Sequence, residues 1–339
     1  MTGHGLSMPG VERLEVPPAS AGERLDRYLA AHFPGISRSR LAALIQQGHV
    51  RVGGAHSKAS HRVSPGDIVE VRIVPREPLR AAAVEIPLDV LYEDEDIVVV
   101  NKPAGMVVHP GAGIPPGGAT LAGALLHRYG ALSARGGAVR PGIVHRLDKG
   151  TSGATVVARN DAAHHSLAAQ FAGRTVEKIY IALVHGKLKS TEGTIRLAVA
   201  RDLRRRTRMT TRRRPEEGRA SQTDWRALAA LGPFTLIEAR LRTGRTHQIR
   251  VHFSALGHPV VGDALYGAPR APEAGGRALP ALDRIFLHAA RLAFAHPRTG
   301  QRLELRAPLP PELRSFLAAL CTAAGIPAAR VDAALKDFL

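Results

Sequence analysis

The sequence predicts an α+β protein with a mixed or antiparallel sheet, preceded by a small helix-and-sheet module. Three observations support this. Apolar residues at helical spacing begin at Glu23 and give way, after Gly48, to alternating strand patterns before Pro75. Beyond Leu91, short β-type runs mix with a few helices, without the regular βαβ alternation of a doubly wound sheet. Finally, Ile97–Val100 and Ala154–Ala158 are continuous apolar runs, the pattern of strands buried on both faces.

Residues 1–20 lack any periodic pattern and are expected to be a flexible leader. Leu25, Tyr28, Leu29 and Phe33 then share one helical face, which Pro34-Gly35 ends. Ser37 and Ser39 can cap a second helix that buries Leu41, Leu44 and Ile45 and stops at Gly48. Val50 and Val52 alternate, Gly53-Gly54 turns the chain, and Gly66-Asp67 leads into Ile68–Val74, with Val69, Val71 and Ile73 on one face. Residues 21–75 thus form a module and 76–90, with Pro78 and an alanine run, a linker. Residues 91–309 form the larger domain, and the Ala- and Leu-rich 310–339 a helical extension. There is no internal repeat.

Composition narrows the function. Forty-seven Lys and Arg against 29 Asp and Glu give a net charge of +18, which favours a polyanionic partner, RNA or DNA, over an acidic lipid surface. Aromatics are only 4%, so phosphates and shape, rather than a broad stacking platform, should hold that partner. No apolar run is long enough to span a bilayer and the N-terminus lacks a signal-peptide core, so a cytoplasmic protein with no membrane partner is expected. A single cysteine, Cys321, excludes a disulfide framework or thiolate metal cage. Nothing points to an obligate dimer, and a monomer is expected.

Three stretches carry chemistry. In His145–Asn160, HRLDKGTSGATVVARN, a lone acid, Asp148, sits between Arg146 and Lys149 in a loop that runs into a buried strand. No carboxylates cluster nearby as an oxygen-ligand metal site would need, so no metal is expected. A single acid beside cations suits covalent or base catalysis; an ordinary turn would also use these residue types. In Val176–Gly186, Tyr180 lies in an alternating strand and offers a flat ring and a phenol. In Leu241–His252, Gly244 permits a turn, after which Arg245, His247 and Arg250 are expected on one short strand. Arg250 is the natural partner for Asp148.

Two resemblances then become specific. ERLDRYLAAHFPGISRSRLAALIQQGHVRVGGA with GDIVEV resembles the alpha-L RNA-binding motif of a small-subunit ribosomal protein. There the second helix and the following loop present cations to RNA; the matching residues are Arg38, Arg40, Lys58 and Arg62. From Glu23 to Pro308 the chain resembles the RluA family of pseudouridine synthases, the ribosomal large-subunit type. HRLDxxTSG is whole at His145–Gly153, KxYxALV at Lys178–Val184 and GRTHQIR at Gly244–Arg250, and LHA…HP is found at Leu287–Ala289 with His296-Pro297.

This second resemblance implies the pseudouridine synthase fold, a mixed, mainly antiparallel sheet, and an isomerase needing no cofactor. It implies that Asp148 acts on the ribose–base linkage of a uridine. Tyr180 would stack on the uracil and assist loss of the C5 proton, and Arg250 would pair with Asp148. Arg146 would fill the gap left by a flipped base, and Leu287 would close the pocket. Arg245 and His247 are further candidates for substrate contact. The partner implied is large-subunit ribosomal RNA or its precursor particle. Two departures stand out: Gly150 occupies a position that is acidic in many relatives, and Arg201–Arg214, RDLRRRTRMTTRRR, is more basic than the pattern demands. That segment suits either a solvated loop or an RNA clamp. Gly111–Gly118 only superficially resembles a phosphate loop, and His164-His165 and His252 with His258 lack zinc spacing.

Overall fold

The computed structural model describes residues 10–74, 80–111, 118–205 and 207–338. The chain divides into two compact units, Met1–Pro78 and Leu79–Leu339. Residues 112–117, within the glycine-rich stretch, and 75–79, which include the first part of the expected linker, lie outside the described residues.

In the first unit, strand β1 (Val11–Glu15) is followed by helices α1 (Leu25–His32) and α2 (Arg38–Gln46) and strands β2 (Val50–Val52), β3 (Ala55–His56) and β4 (Ile68–Arg72). The sheet order is β1-β4-β2-β3. Ser37 caps α2 by accepting the Arg40 N–H, as its position before the helix predicts. Leu25, Tyr28 and Leu29 of α1 meet Leu41, Leu44 and Ile45 of α2 over Val50, Val69 and Val71. Strand β1 corrects the expected leader: Val11–Glu15 pairs antiparallel with β4, Leu14 opposite Val69. It is an edge strand whose Val11 stays 56% exposed, so it buries too little to impose an alternating pattern.

The second unit is built on a nine-stranded sheet. Its strands are β5 (Val90–Glu93), β6 (Ile97–Lys102), β7 (Ser152–Ala158), β8 (Glu177–His185) and β9 (Glu192–Ile195), then β12 (Thr223–Leu231), β13 (Phe234–Leu241), β16 (Leu287–Ala295) and β17 (Arg302–Arg306). Two small hairpins lie outside it, β10 (Ala198–Arg201) with β11 (Met209–Arg212), and β14 (Glu273–Ala274) with β15 (Arg277–Ala278). The order is β5-β6-β7-β16-β8-β13-β12-β9, with β17 also on β16. Only β7 and β16 pair in parallel among the described strands, so the sheet is mixed and mainly antiparallel.

The helices are α3 (Leu121–Tyr129), α4 (Asp161–Ala172), α5 (Gln248–Ala255), α6 (Pro311–Ala324) and α7 (Ala329–Leu335). Alternate residues of β6 serve two clusters: Ile97 and Val99 with Leu167 of α4, Val98 and Val100 with Leu125 of α3. That double burial is why Ile97–Val100 reads as an unbroken apolar run. Residues 80–89 have no regular structure, yet Ala81 N–H bonds to Ala138 O and Val84 N–H to Gly123 O. This half of the expected linker is thus pinned to the second unit. The C-terminal segment is helical as predicted, but α6 is part of the core: Phe316 packs edge-on to Phe286 at 6.1 Å.

Candidate active site

The acid-bearing loop is fixed at both ends before any ligand enters. At its start, the His145 imidazole stacks on Phe171 at 4.5 Å and accepts the Val156 N–H. Burial, and then the charge of Lys178, push His145 down to about 3, so it remains a neutral acceptor. At its end, Ser152 lies between His288 Nδ1 and the Arg284 guanidinium, each at 2.8 Å. Gly153 follows with φ +119, where a Cβ would lie 2.2 Å from Ala289 O. Only glycine lets β7 approach β16 there, which gives the TSG triplet a steric cause. On its flank, Lys149 O accepts the Gly105 N–H. Buried Lys102 donates to Pro103 O and Met106 O in the same flanking loop, and burial lowers it to about 7.

Asp148 projects from this loop into a cleft of about 300 Å³. Its Oδ2 accepts from Arg250 Nη1 at 3.2 Å, with His247 Nε2 at 3.9 Å from the same oxygen. Arg250 is held from behind by Asp263, whose carboxylate takes Nε at 2.6 Å and Nη2 at 3.0 Å. Burial opposes the Arg250 charge, but the Asp263 bonds and the two carboxylate charges raise it above its ordinary value. The Tyr266 ring lies under the same guanidinium at 5.0 Å and edge-on to His247 at 5.6 Å.

The expected strand through Arg245, His247 and Arg250 is not formed. β13 ends at Leu241, and α5 begins at Gln248. The Gln248 carboxamide oxygen accepts from Thr243 Oγ1 and the Arg245 N–H, closing the turn. His247 adopts a left-handed backbone, φ +56, as the last residue before the helix. The β-branched Ile249 and Val251 suggest a strand, but helical spacing seats Ile249 and Phe253 together in the core.

Tyr180 comes from β8, with its ring in the cleft wall and its phenol pushed well above the ordinary range by burial and then by Asp148. Ala289 on one neighbouring strand and Ala239 on the other stand directly opposite Tyr180. Cross-strand partners share a face, so two methyl groups flank the ring and leave room above it. Leu287 and Leu147 add apolar wall, and Lys178 reaches the cleft over the Phe171 ring at 5.7 Å. Arg146 is exposed at the cleft, its Nη1 3.3 Å from His109 Nε2. Arg245 is half-exposed and donates to Ala220 O.

The structure thus gathers Asp148, Tyr180, Arg250, Arg146, Leu287, Arg245 and His247 around one cleft. Sequence reasoning missed Asp263, Tyr266, Lys178 and Thr151; the buried Thr151 hydroxyl lines the cleft without a hydrogen-bond partner among the described residues. In the first unit, three of the four cations expected at RNA make internal bonds: Arg38 to buried Asp26, Arg40 to Val74 O and Arg62 to Gly22 O. Lys58 is exposed beside His56 and His61. The basic 201–214 segment is largely an antiparallel hairpin, Ala198 opposite Arg212. Among the described residues one cluster, Asp94, Asp96 and His296, has metal-like spacing, but Tyr92, His296, Arg298 and Asn160 already engage its carboxylates.

Similarity to known proteins shows the family. The RNA pseudouridylate synthase model matches residues 96–255, and the S4 domain model matches 23–69. An uncharacterized RNA pseudouridine synthase of Chloroflexus aurantiacus is 49% identical over 89% of this chain and 91% of its own length. The chain belongs to the RNA pseudouridylate synthase family. It is therefore an RNA pseudouridine synthase, an isomerase, with an N-terminal S4 domain. Ribosomal large subunit pseudouridine synthase D of Xylella fastidiosa is 45% identical over 90% of this chain and 91% of its own. Among solved structures of the family, human RNA pseudouridylate synthase domain containing 1 is 31% identical, with a TM-score of 0.50 over 69% of this chain and 87% of that one. Human RNA pseudouridylate synthase domain containing 4, at 23% identity and TM-score 0.51 over 70% and 93%, shares the fold.

Proposed function

We propose that this enzyme isomerises uridines of large-subunit ribosomal RNA, or of its precursor particle, and that Asp148 is the group acting at the ribose–base linkage. The observation that carries the reading is the asymmetry of the carboxylate. Arg250 takes Oδ2, whereas Oδ1 has no hydrogen-bond partner among the described residues and is available to a substrate beside Tyr180. A base inside a helix is out of reach of such a cleft, so the uridine must leave its stack, at a cost of a few kcal/mol. Exposed Arg146 fills the vacated place in the RNA.

In the reaction, the N1–C1′ bond breaks and a C5–C1′ bond forms; C5 loses a proton and N1 gains one, so no atom is added or removed. Tyr180 presents its ring to the detached uracil, which must turn while still held, and Leu287 closes the wall against escape. Because burial keeps the Tyr180 phenol protonated, it can act on the C5 proton only as a relay, accepting on oxygen while giving up its own hydrogen. Arg245 and His247 serve the backbone and polar edges of the flipped nucleotide. The S4 domain and the +18 charge hold the surrounding RNA through phosphates, with Arg38, Arg40, Lys58 and Arg62 on the contacting face. The names of relatives such as the Xylella fastidiosa enzyme support the large-subunit substrate.

Tritium release from ribosomal RNA labelled at uridine C5 tests the reading. The parent enzyme should release label, and Asp148→Asn should bind the RNA with near-parent affinity and release none. Turnover by Asp148→Asn would overturn the assignment of Asp148.

A further inference from the structure

The turn after α5 places a second network behind the catalytic carboxylate, and its end member is Tyr266. The Tyr266 hydroxyl accepts the Met209 N–H at 2.9 Å and stands 2.9 Å from His247 Nδ1. With an oxygen lone pair already given to Met209, the phenol satisfies both itself and the imidazole by donating its own hydrogen to Nδ1. Burial raises this phenol to about 12, so the hydrogen is present at neutral pH. Burial also lowers His247, outweighing the nearby carboxylates, so the imidazole is neutral there and carries one hydrogen. If Nδ1 accepts, that hydrogen is on Nε2, the nitrogen 3.9 Å from Asp148 Oδ2.

We propose that Tyr266 is a positioning residue that fixes His247 as its Nε2–H tautomer, so that an N–H rather than a lone pair faces the catalytic carboxylate and the substrate oxygen that enters beside it. The opposite tautomer would set two lone pairs against each other. The same hydroxyl seats the arginine-rich β10–β11 hairpin, because Met209 opens β11 and Arg208 lies 5.3 Å over the Tyr266 ring. Hairpin docking and the protonation pattern of the site therefore share one atom. The proposal rests on the assignment of Asp148 as the catalytic residue.

The test uses the full chain labelled with ¹⁵N-histidine, with the His247 resonances assigned by their loss in His247→Gln. Long-range ¹H–¹⁵N spectra at pH 7 should show His247 protonated on Nε2 in the parent and as a mixture of tautomers in Tyr266→Phe. An Nδ1–H tautomer in the parent overturns the proposal, whether or not the variant folds. So does an unchanged pure Nε2–H tautomer in Tyr266→Phe. With RNA in single turnover, Tyr266→Phe should lower the maximal rate about tenfold with little change in the half-saturating concentration. In a His247→Gln background, whose side-chain amide supplies an N–H near the Nε2 position without help, Tyr266→Phe should add nothing to the loss of maximal rate, whatever the lost Met209 bond does to RNA binding; an additive loss of maximal rate would overturn the coupling. Asp148→Asn run in parallel separates the two ideas: turnover there removes the catalytic reading but leaves the tautomer measurement standing.

Discussion

Replacing Asp263 by alanine should destabilise the second unit by stripping a buried cation of its main partner. Arg250 is 8% exposed and Asp263 1%, and two charge-assisted bonds join them. Truncation leaves a buried guanidinium whose remaining acid is Asp148, one bond at 3.2 Å. Breaking a buried pair in this way costs about 3–5 kcal/mol, and the surviving Asp148 bond places this case near the lower end. At about 2–4 °C per kcal/mol for a unit of this size, Tm should fall by about 6–12 °C. Asp263→Asn keeps one acceptor and the shape, and should lose about half as much. Trp225 gives a local signal for urea unfolding, since it is the protein's single tryptophan and lies edge-on to Phe253 of α5 at 6.1 Å. Arg250→Met with Asp263→Leu should recover stability without recovering turnover, because apolar replacement of both partners is close to neutral. A loss below about 1 kcal/mol in Asp263→Ala would refute the view that Asp263 supports the Arg250 charge.

Three further outcomes follow from the same geometry. Thr151→Val should raise Tm, since it removes a buried hydroxyl that has no partner among the described residues and costs about 1 kcal/mol or more, yet lower kcat/KM about fivefold if that hydroxyl meets substrate; a fall in Tm would contradict the first half. His252 and His288 are fully buried, and burial lowers each to about 4, so the unfolded chain binds more protons between pH 6.5 and 4. Stability should therefore fall with acidification through that window, by up to about 3 kcal/mol per pH unit for the pair, and a flat urea midpoint from pH 6.5 to 5 would contradict it. Gly153→Ala should cost about 4 kcal/mol or more, because φ +119 and the 2.2 Å approach to Ala289 O both exclude a Cβ; near-parent thermal unfolding would show that β7 can shift away.

What the sequence disclosed and what it hid have separate physical causes. Ile97–Val100 and Val176–Gly186 were legible as strands because burial on one or both faces dictates their residue types one by one. Asp148, Tyr180 and Arg250 were legible because motif spacing carried them. Leu241–His252 misled, since Ile249 and Val251 suit a strand locally, while the helix depends on a Gln248 side chain closing a turn across Thr243 and Arg245. Asp263 and Tyr266 were hidden for a related reason. Gly-Asp-Ala-Leu-Tyr-Gly has the composition of an ordinary turn, and its contacts with Arg250 and His247 arise only after α5 has formed and the chain has folded back.

The position of the cleft follows from one row of the sheet. Gly153 of β7 lies beside Ala289 of β16, Ala289 opposite Tyr180 of β8, and Tyr180 opposite Ala239 of β13. In that row the one large side chain, Tyr180, has no bulky neighbour, so its ring stands clear instead of merging into a packed layer. The parallel β7–β16 pair brings the acid-bearing loop and the segment after Asp263 into their strands side by side, while β13 delivers α5. Asp148 therefore meets Arg250, 102 residues further on, and Arg250 meets Asp263 after the chain turns back, so that charges alternate beside a row of small residues. Glycine and alanine in that row do chemical service by what they lack. A pattern search that weighs only reactive side chains finds the acid and its partners, but it passes over the residues that leave space beside the Tyr180 ring.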